Sequence, residues 1–249
     1  MKVHIFLLCY NEERILPYTL QHYKKNFPNA IITIFDNYST DRSAAIAEEQ
    51  GCRVVKYDSN EQQNEELLIW VRSHLWKDFM EKGWVIMCDM DEWLSMTEAQ
   101  LEEEDAKGTT IVTTQGFNMV GESKMADLSD INLFDIKRGF YDDRMSKSIC
   151  FKYPEVGIEF WYGAHHCFPQ GYVQYSEEAY LLQHYDILGE EYVVEKNQRR
   201  YERNYQSRDE GLNEHYLLDR DAIISRYQYH LAISIILGAS SHTPESPVQ

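Results

Sequence analysis

Between residues 2 and 88 the chain alternates short, nearly all-apolar runs with longer stretches of helical periodicity. That alternation limits the fold more than any other feature. Lys2–Cys9, Ile31–Phe35, Arg53–Tyr57 and Trp84–Cys88 read as strands, and runs with little polar interruption belong to strands buried on both faces. Three helical segments lie between them. The first follows Glu12 and Glu13, with Pro17 near its first turn and Leu16, Leu20, Tyr23 and Phe27 as its apolar positions. The second is capped by Thr40 or Asp41 and ends at Gln50, before Gly51. The third spans about 62–81 and carries Leu67, Val71, Leu75 and Phe79 at i, i+4 spacing. Such alternation predicts βαβ units and an α/β fold, a mostly parallel sheet flanked by helices.

Ligands of these sheets bind beyond the carboxyl ends of the strands. The rule selects Tyr10, Asn11 and Glu12 after the first strand, Asp36 and Asn37 after the second, and Asp89, Asp91 and Glu92 after the fourth. Three carboxylate clusters are thereby expected on one edge. The run Asp89-Met90-Asp91-Glu92 is the sharpest of them. Carboxylates released together from a buried strand repel one another unless a cation sits among them, and oxygen ligands suit Mg2+ or Mn2+. An acidic loop turned to solvent is the alternative, and the position directly behind an apolar strand weighs against it.

Charge narrows the partners. Lys and Arg number 24 against 41 Asp and Glu, a formal charge of -17. That surface repels nucleic acid and anionic membranes, so a phosphorylated ligand must be held by a metal ion or by a few focused basic side chains. The five cysteines are widely spaced with no CxxC pair, which suits small hydrophobes in a reducing compartment rather than disulfides or zinc. The opening apolar run is cut off by Asn11, Glu12 and Glu13 before a signal-peptide core forms. Leu231–Leu237 is the longest greasy run and too short to span a bilayer. A cytoplasmic chain with no transmembrane segment is expected.

Beyond residue 95 the pattern changes. Thr97–Glu104 reads as an acidic helix, Thr109–Thr114 and Phe117–Val120 as strands turned at Gln115 and Gly116, and Ser148–Lys152, Gly171–Tyr175 and Ala179–Gln183 as short strands. Helices are expected near 190–205 and 219–237, the last packed into the domain, and residues 240–249 as a disordered tail. Arg199, Arg200 and Arg203 read as surface partners of Glu195 and Glu202.

The set Cys9-Tyr10-Asn11-Glu12-Glu13, Asp36-Asn37-Tyr38-Ser39-Thr40-Asp41 and Asp89-Met90-Asp91, each at a strand end and in this order, resembles the nucleotide-sugar half of a GT-A glycosyltransferase of the family-2-like, DxD-containing kind. The resemblance covers roughly residues 1–95 and extends less specifically to about 205. It implies one GT-A domain, with 1–95 as the nucleotide-sugar half and 96–239 as the acceptor-side half. Tyr10, Asn11, Glu12 and Asp36 would then hold the nucleoside. Asp89 would lie near ribose and metal, and Asp91 would ligate Mn2+ or Mg2+.

Leu181-Leu182-Gln183-His184-Tyr185 resembles the stretch that often completes the metal site in such enzymes, so His184 is the third candidate ligand. A hydrogen-bonded structural histidine is the competing reading, and it is the one taken for His165 and His166. Lys147 stands where relatives often carry a basic residue, and Lys147 or Arg144 could place a cation near the diphosphate; solvated surface charge is the competing reading for either one. Glu159, among Phe160, Trp161 and Tyr162, is the candidate general base by order along the chain. The clear Glu-Asp pair of better-known members is missing.

The implied activity is transfer of a sugar from a nucleoside diphosphate donor, a UDP-sugar by expectation, to a hydroxyl of a glycan or lipid-linked acceptor in surface glycan synthesis. A phosphohydrolase with a DxD motif would need a small or hydroxylated residue at position 93, where Trp93 stands. A nucleotidyltransferase would need glycines in Cys9–Arg14, which has none. A non-catalytic carbohydrate-binding protein would have no use for three acidic clusters on one sheet edge.

Overall fold

A computed structural model describes residues 1–204 and 219–237. The first strand, β1 (Val3–Cys9), pairs in parallel with β2 (Ile31–Asp36) and with β4 (Gly83–Asp89), and β2 pairs in parallel with β3 (Arg53–Lys56). Helices α1 (Leu16–Asn26), α2 (Ser43–Glu49) and α3 (Glu65–Ser73) connect them. This is the parallel, helix-flanked half that the sequence predicts. Side chains of β1 alternate between two cores, as the pleat requires. Val3, Ile5, Leu7 and Cys9 enter one cluster with Leu16, Leu20 and Tyr23 of α1, while Phe6 and Leu8 join Val71 and Trp76 on the other face.

The third helix is shorter than its periodicity suggests. It ends at Ser73, and Leu75–Phe79 is a separate 3-10 segment, because His74 leaves helical geometry at φ -131. Trp76 is fully buried there and its indole nitrogen donates to the Arg72 carbonyl at 3.0 Å. Burying that ring is worth more than continuing the helix, and Arg72 is left beside the end of β4.

The second half adds strands to the same sheet. β5 (Glu92–Leu94) is followed by α4 (Glu98–Lys107), which Thr97 and Gln100 start with a capping box. Strand β6 (Ile111–Ser123) runs straight through the turn expected at Gln115 and Gly116. The physical reason is at Gly116, where a Cβ would lie 2.2 Å from the Met145 carbonyl carbon. The glycine admits a crossing chain rather than bending its own.

β7 (Arg138–Tyr141), β8 (Cys150–Tyr153) and the separate hairpin of β9 (Val156–Phe160) and β10 (Cys167–Gly171) follow. Gly171–Tyr175 is not a strand of its own, since Gly171 closes β10 and Tyr175 opens β11 (Tyr175–Gly189). Strand β11 lies parallel to β6 and antiparallel to β5. Helix α5 (Glu190–Arg203) returns across the sheet edge, and α6 (Arg220–Ile233) leads into β12 (Ile235–Ile236), paired with β7.

The helix expected over 219–237 therefore stops before its last apolar residues. It packs through Ile223 and Tyr227, while Ile233, Ile235 and Ile236 stay exposed. Among the described residues the sheet has ten strands, parallel on the β1 side and mixed beyond β4. The cysteines are free, four of them buried. Tyr205 and the 240–249 tail lie outside the described residues. Among those described, no helix is long and apolar enough to cross a membrane.

Candidate active site

The carboxyl ends of β1 and β4 and the residue after β2 open into one cleft of about 180 Å³, closed on its far side by α5. Asp89 and Asp91 both line it, but the chain handles them differently. Asp89 accepts from Arg72 at 2.6 Å and lies 3.9 Å from the Lys147 ammonium. Burial alone would raise this carboxyl, yet Arg72 and Lys147 outweigh it and hold Asp89 well below the usual carboxylate range. Lys147 is itself buried, 2.5 Å from Glu92, whose other oxygen accepts the Asp89 backbone N–H at 3.0 Å. Glu92 is thus a buried anchor beneath the cleft and not part of its lining.

Asp91 belongs to a second group. One carboxylate oxygen lies 3.6 Å from His184 Nε2, and Asp91, His184 and Asp186 each offer a ligand atom within 4.8 Å of the others. His184 and Asp186 share a face of β11 because side chains alternate along a strand. Pairing of β11 with β5 places His184 opposite Glu92, with the Tyr185 N–H donating to the Asp91 carbonyl at 2.8 Å. Asn118 of β6 orients the imidazole. Its amide nitrogen donates to Asp142 at 3.0 Å, so its oxygen faces His184 Nδ1 at 2.7 Å and accepts from it. Nε2 is left turned toward Asp91.

Two carboxylates and an imidazole tied back by an amide oxygen form a donor set that fits Mn2+ or Mg2+. Asp89, expected among the ligands, stands outside that set. A protein cation already touches the two carboxylates: Lys196 Nζ is 2.7 Å from Asp91 and 2.8 Å from Asp186. Arg200 adds a contact to Asp186 at 3.0 Å. Burial would raise the Asp186 carboxyl, and Arg200 and Lys196 together bring it well below its ordinary value.

At the other end of the cleft Tyr10, Asn37 and Tyr57 form the wall. The Arg203 guanidinium stacks over the Tyr10 ring at 3.4 Å. Glu12 lines the cleft 3.5 Å from Arg199, and burial raises its carboxyl against the pull of Lys196. Asn11 and Asp36 do not line it. Asn11, at φ 52, staples the β1 loop to the β2 loop by accepting from the Thr40 N–H at 2.7 Å and donating to the Thr40 hydroxyl at 3.1 Å. Asp36 is fully buried and accepts from the Ser39 N–H at 3.3 Å. Both shape the wall instead of touching its contents, and Asn37 takes the place expected of Asp36.

A wider cavity of about 780 Å³ adjoins the cleft and shares Arg72, Asp89, His184, Lys196 and Arg200 with it. Lys147, Asp142, Tyr162 and His165 lie on its wall. His165 is tied at 2.7 Å to the Arg144 carbonyl, and His166 is exposed. Glu159 does not reach either cavity. It lies on β9, 3.4 Å from His74 and half exposed, because β9 packs on α3, with the Ser73 hydroxyl accepting from Phe160 N–H at 2.9 Å. The geometry gives the expected general base no access to the cleft.

The basic side chains of the cleft are the main residues that sequence reasoning missed. Arg199, Arg200 and Arg203 do not pair with Glu195 and Glu202 on the surface; with Lys196 they occupy the inner face of α5. Their spacing of 0, 3, 4 and 7 residues was the available signal, yet an amphipathic pattern does not say whether its basic face meets water or a buried acid. Asp186 was legible in the same way, two residues beyond His184 on a strand.

No family model matches the chain. It is similar to Protein RfbJ of Shigella flexneri, 38% identical over 52 residues, which are 21% of this chain and 40% of that protein. The match therefore spans well under half of the curated relative. Among solved structures, S. aureus TarS 1-349 in complex with UDP is similar at a TM-score of 0.48 and 14% identity, over 89% of this chain and 73% of that one. The mannosyltransferase PcManGT from Pyrobaculum calidifontis, in complex with GDP-Man and Mn2+, is similar at a TM-score of 0.42 and 8% identity, over 92% and 74% of the two chains.

Proposed function

We propose that this chain is a GT-A glycosyltransferase that moves a sugar from a nucleoside diphosphate, a UDP-sugar, to a hydroxyl acceptor. The observation that carries the reading is the join of two cavities at Asp89 and His184. A narrow cleft with an aromatic wall at one end and a divalent-cation donor set at the other suits a nucleotide. The wider cavity beyond suits a glycan or lipid-linked acceptor of the kind used in surface glycan synthesis.

The chain's own residues divide the work. Tyr10 supplies a face for the base and Asn37 polar contacts beside it. Asp91, His184 and Asp186 are the candidate ligands for Mn2+ or Mg2+, and the ion would supply Lewis-acid stabilisation of the diphosphate leaving group. Arg199 and Arg200 place positive charge along the same wall, where negative charge develops as the glycosidic bond breaks. Arg72 and Lys147 keep Asp89 ionised and fixed at the mouth of the acceptor cavity. Local cations thus offset the -17 charge of the whole chain.

Calorimetric titration of UDP with and without Mn2+, on the wild type and on Asp91→Ala, tests the reading. Metal-dependent binding that is lost in the variant is the expected result. Absence of binding in both conditions would overturn the nucleotide assignment, and binding indifferent to metal and to Asp91 would overturn the metal one.

A further inference from the structure

The Lys196 ammonium bridges two of the three groups that make up the candidate donor set. It is buried, and its nitrogen lies 2.7 Å from Asp91 and 2.8 Å from Asp186. A dication bound to both carboxylates would face an ammonium at contact distance, and charges so close in a desolvated site repel strongly. The carboxylates can serve one cation or the other.

We infer that Lys196 is the internal counter-ion of this site and competes with the divalent ion for Asp91 and Asp186. Metal entry then requires the ammonium to leave. Lys196 also lines the nucleotide cleft, with Glu12, Arg199 and Arg200 on the same wall. The displaced ammonium needs an anion, and on the glycosyltransferase reading, on which this part rests, the donor diphosphate provides one. Metal and diphosphate therefore bind cooperatively: each is weak alone, and by linkage each tightens the other by the same factor. The lysine neutralises the carboxylates when the cleft is empty, so metal binds weakly before the donor arrives.

The experiment is a Mn2+ titration followed by electron paramagnetic resonance of the free ion, without nucleotide, on the wild type, Lys196→Gln and Lys196→Arg. Removing the competing charge should tighten Mn2+ in Lys196→Gln by about tenfold or more, a difference of about 1.4 kcal/mol. Lys196→Arg keeps the charge and should stay near the wild type. Equal or weaker Mn2+ affinity in a Lys196→Gln protein that melts as a folded chain would overturn the inference, as would a failure of both proteins to bind Mn2+.

Should Lys196→Gln not fold, the wild type still decides. The side-chain ammonium resonance of Lys196 should shift or vanish on saturation with Mg2+, and an unchanged resonance overturns the competition. Repeating the titration with UDP separates the two readings. UDP should tighten Mn2+ in the wild type and do so about tenfold less in Lys196→Gln. If UDP does not bind at all, the glycosyltransferase reading fails while the competition measured without nucleotide stands.

Discussion

The Asn118 side-chain oxygen lies 2.7 Å from Nδ1 of His184, and the same amide donates to Asp142 through its nitrogen. The Asp142 contact leaves the amide one orientation, and that orientation commits His184 to present Nε2 to Asp91. Replacing Asn118 by Leu removes the tether without touching the donor set. Mn2+ affinity measured in the presence of UDP should fall by about 10- to 100-fold, with the circular dichroism spectrum unchanged.

Asp89 and Asp91 should respond differently to the same substitution. Asp89→Asn leaves Arg72 and Lys147 with excess charge beneath the cleft. Because the Asp89 side chain is about one-third exposed, the cost falls below that of a fully buried pair, about 2 kcal/mol by urea denaturation. Asp91→Asn leaves Lys196 paired with Asp186, so it should change stability by less than about 1 kcal/mol while abolishing Mn2+ binding.

The aromatic wall should be worth a measurable share of donor affinity. Tyr10→Ala removes the ring over which Arg203 now stacks. UDP should bind about tenfold more weakly, since stacking on a base contributes about 1–3 kcal/mol. Glu159→Gln, on a side chain outside both cavities, should leave UDP affinity unchanged in the same titration.

His4 gives the fold a pH dependence unconnected with the cleft. Its side chain is buried in β1, and neither ring nitrogen has a hydrogen-bond partner among the described residues. Burial, assisted by Lys2 and Arg53, lowers its pKa from 6.5 to about 4. The unfolded chain takes up a proton below 6.5 that the folded chain refuses until about 4, so stability declines as the pH falls through that window. Urea midpoints between those limits should drop by the equivalent of about 1–3 kcal/mol, and His4→Leu should flatten that part of the profile.

Gly116 tests the crossing of β6. A Cβ there meets the Met145 backbone at 2.2 Å and its Cβ at 2.5 Å, and backbone cannot rotate aside. Gly116→Ala should destabilise the fold by about 2–3 kcal/mol. A thermal melt that shifts by under a degree would show that the Met145 chain is free to move.

The parallel half of the sheet and the edge on which the site forms follow from local residue pattern. Apolar runs such as Val3–Cys9 can be buried on both faces only by a strand between helices, and the polar residues that follow must then lie at the carboxyl end. Tyr10, Glu12, Asp89 and Asp91 were legible for that reason, since Asp89 ends β4 and the others lie within three residues of a strand's end. What each side chain does there depends on partners distant in the chain, which meet only once β5, β11 and α5 have packed together.

Asn11 and Asp36 sit at the same edge as Tyr10, yet their hydrogen bonds turn them into loop staples. Glu159 is carried away by a hairpin that packs on α3. Asp186 and Lys196 reach Asp91 across about a hundred residues, because β11 pairs with β5 and α5 returns over the cleft. A helix pattern states which residues share a face but not what that face meets. For α5 it meets buried carboxylates, and their desolvation is what makes its basic residues part of the site.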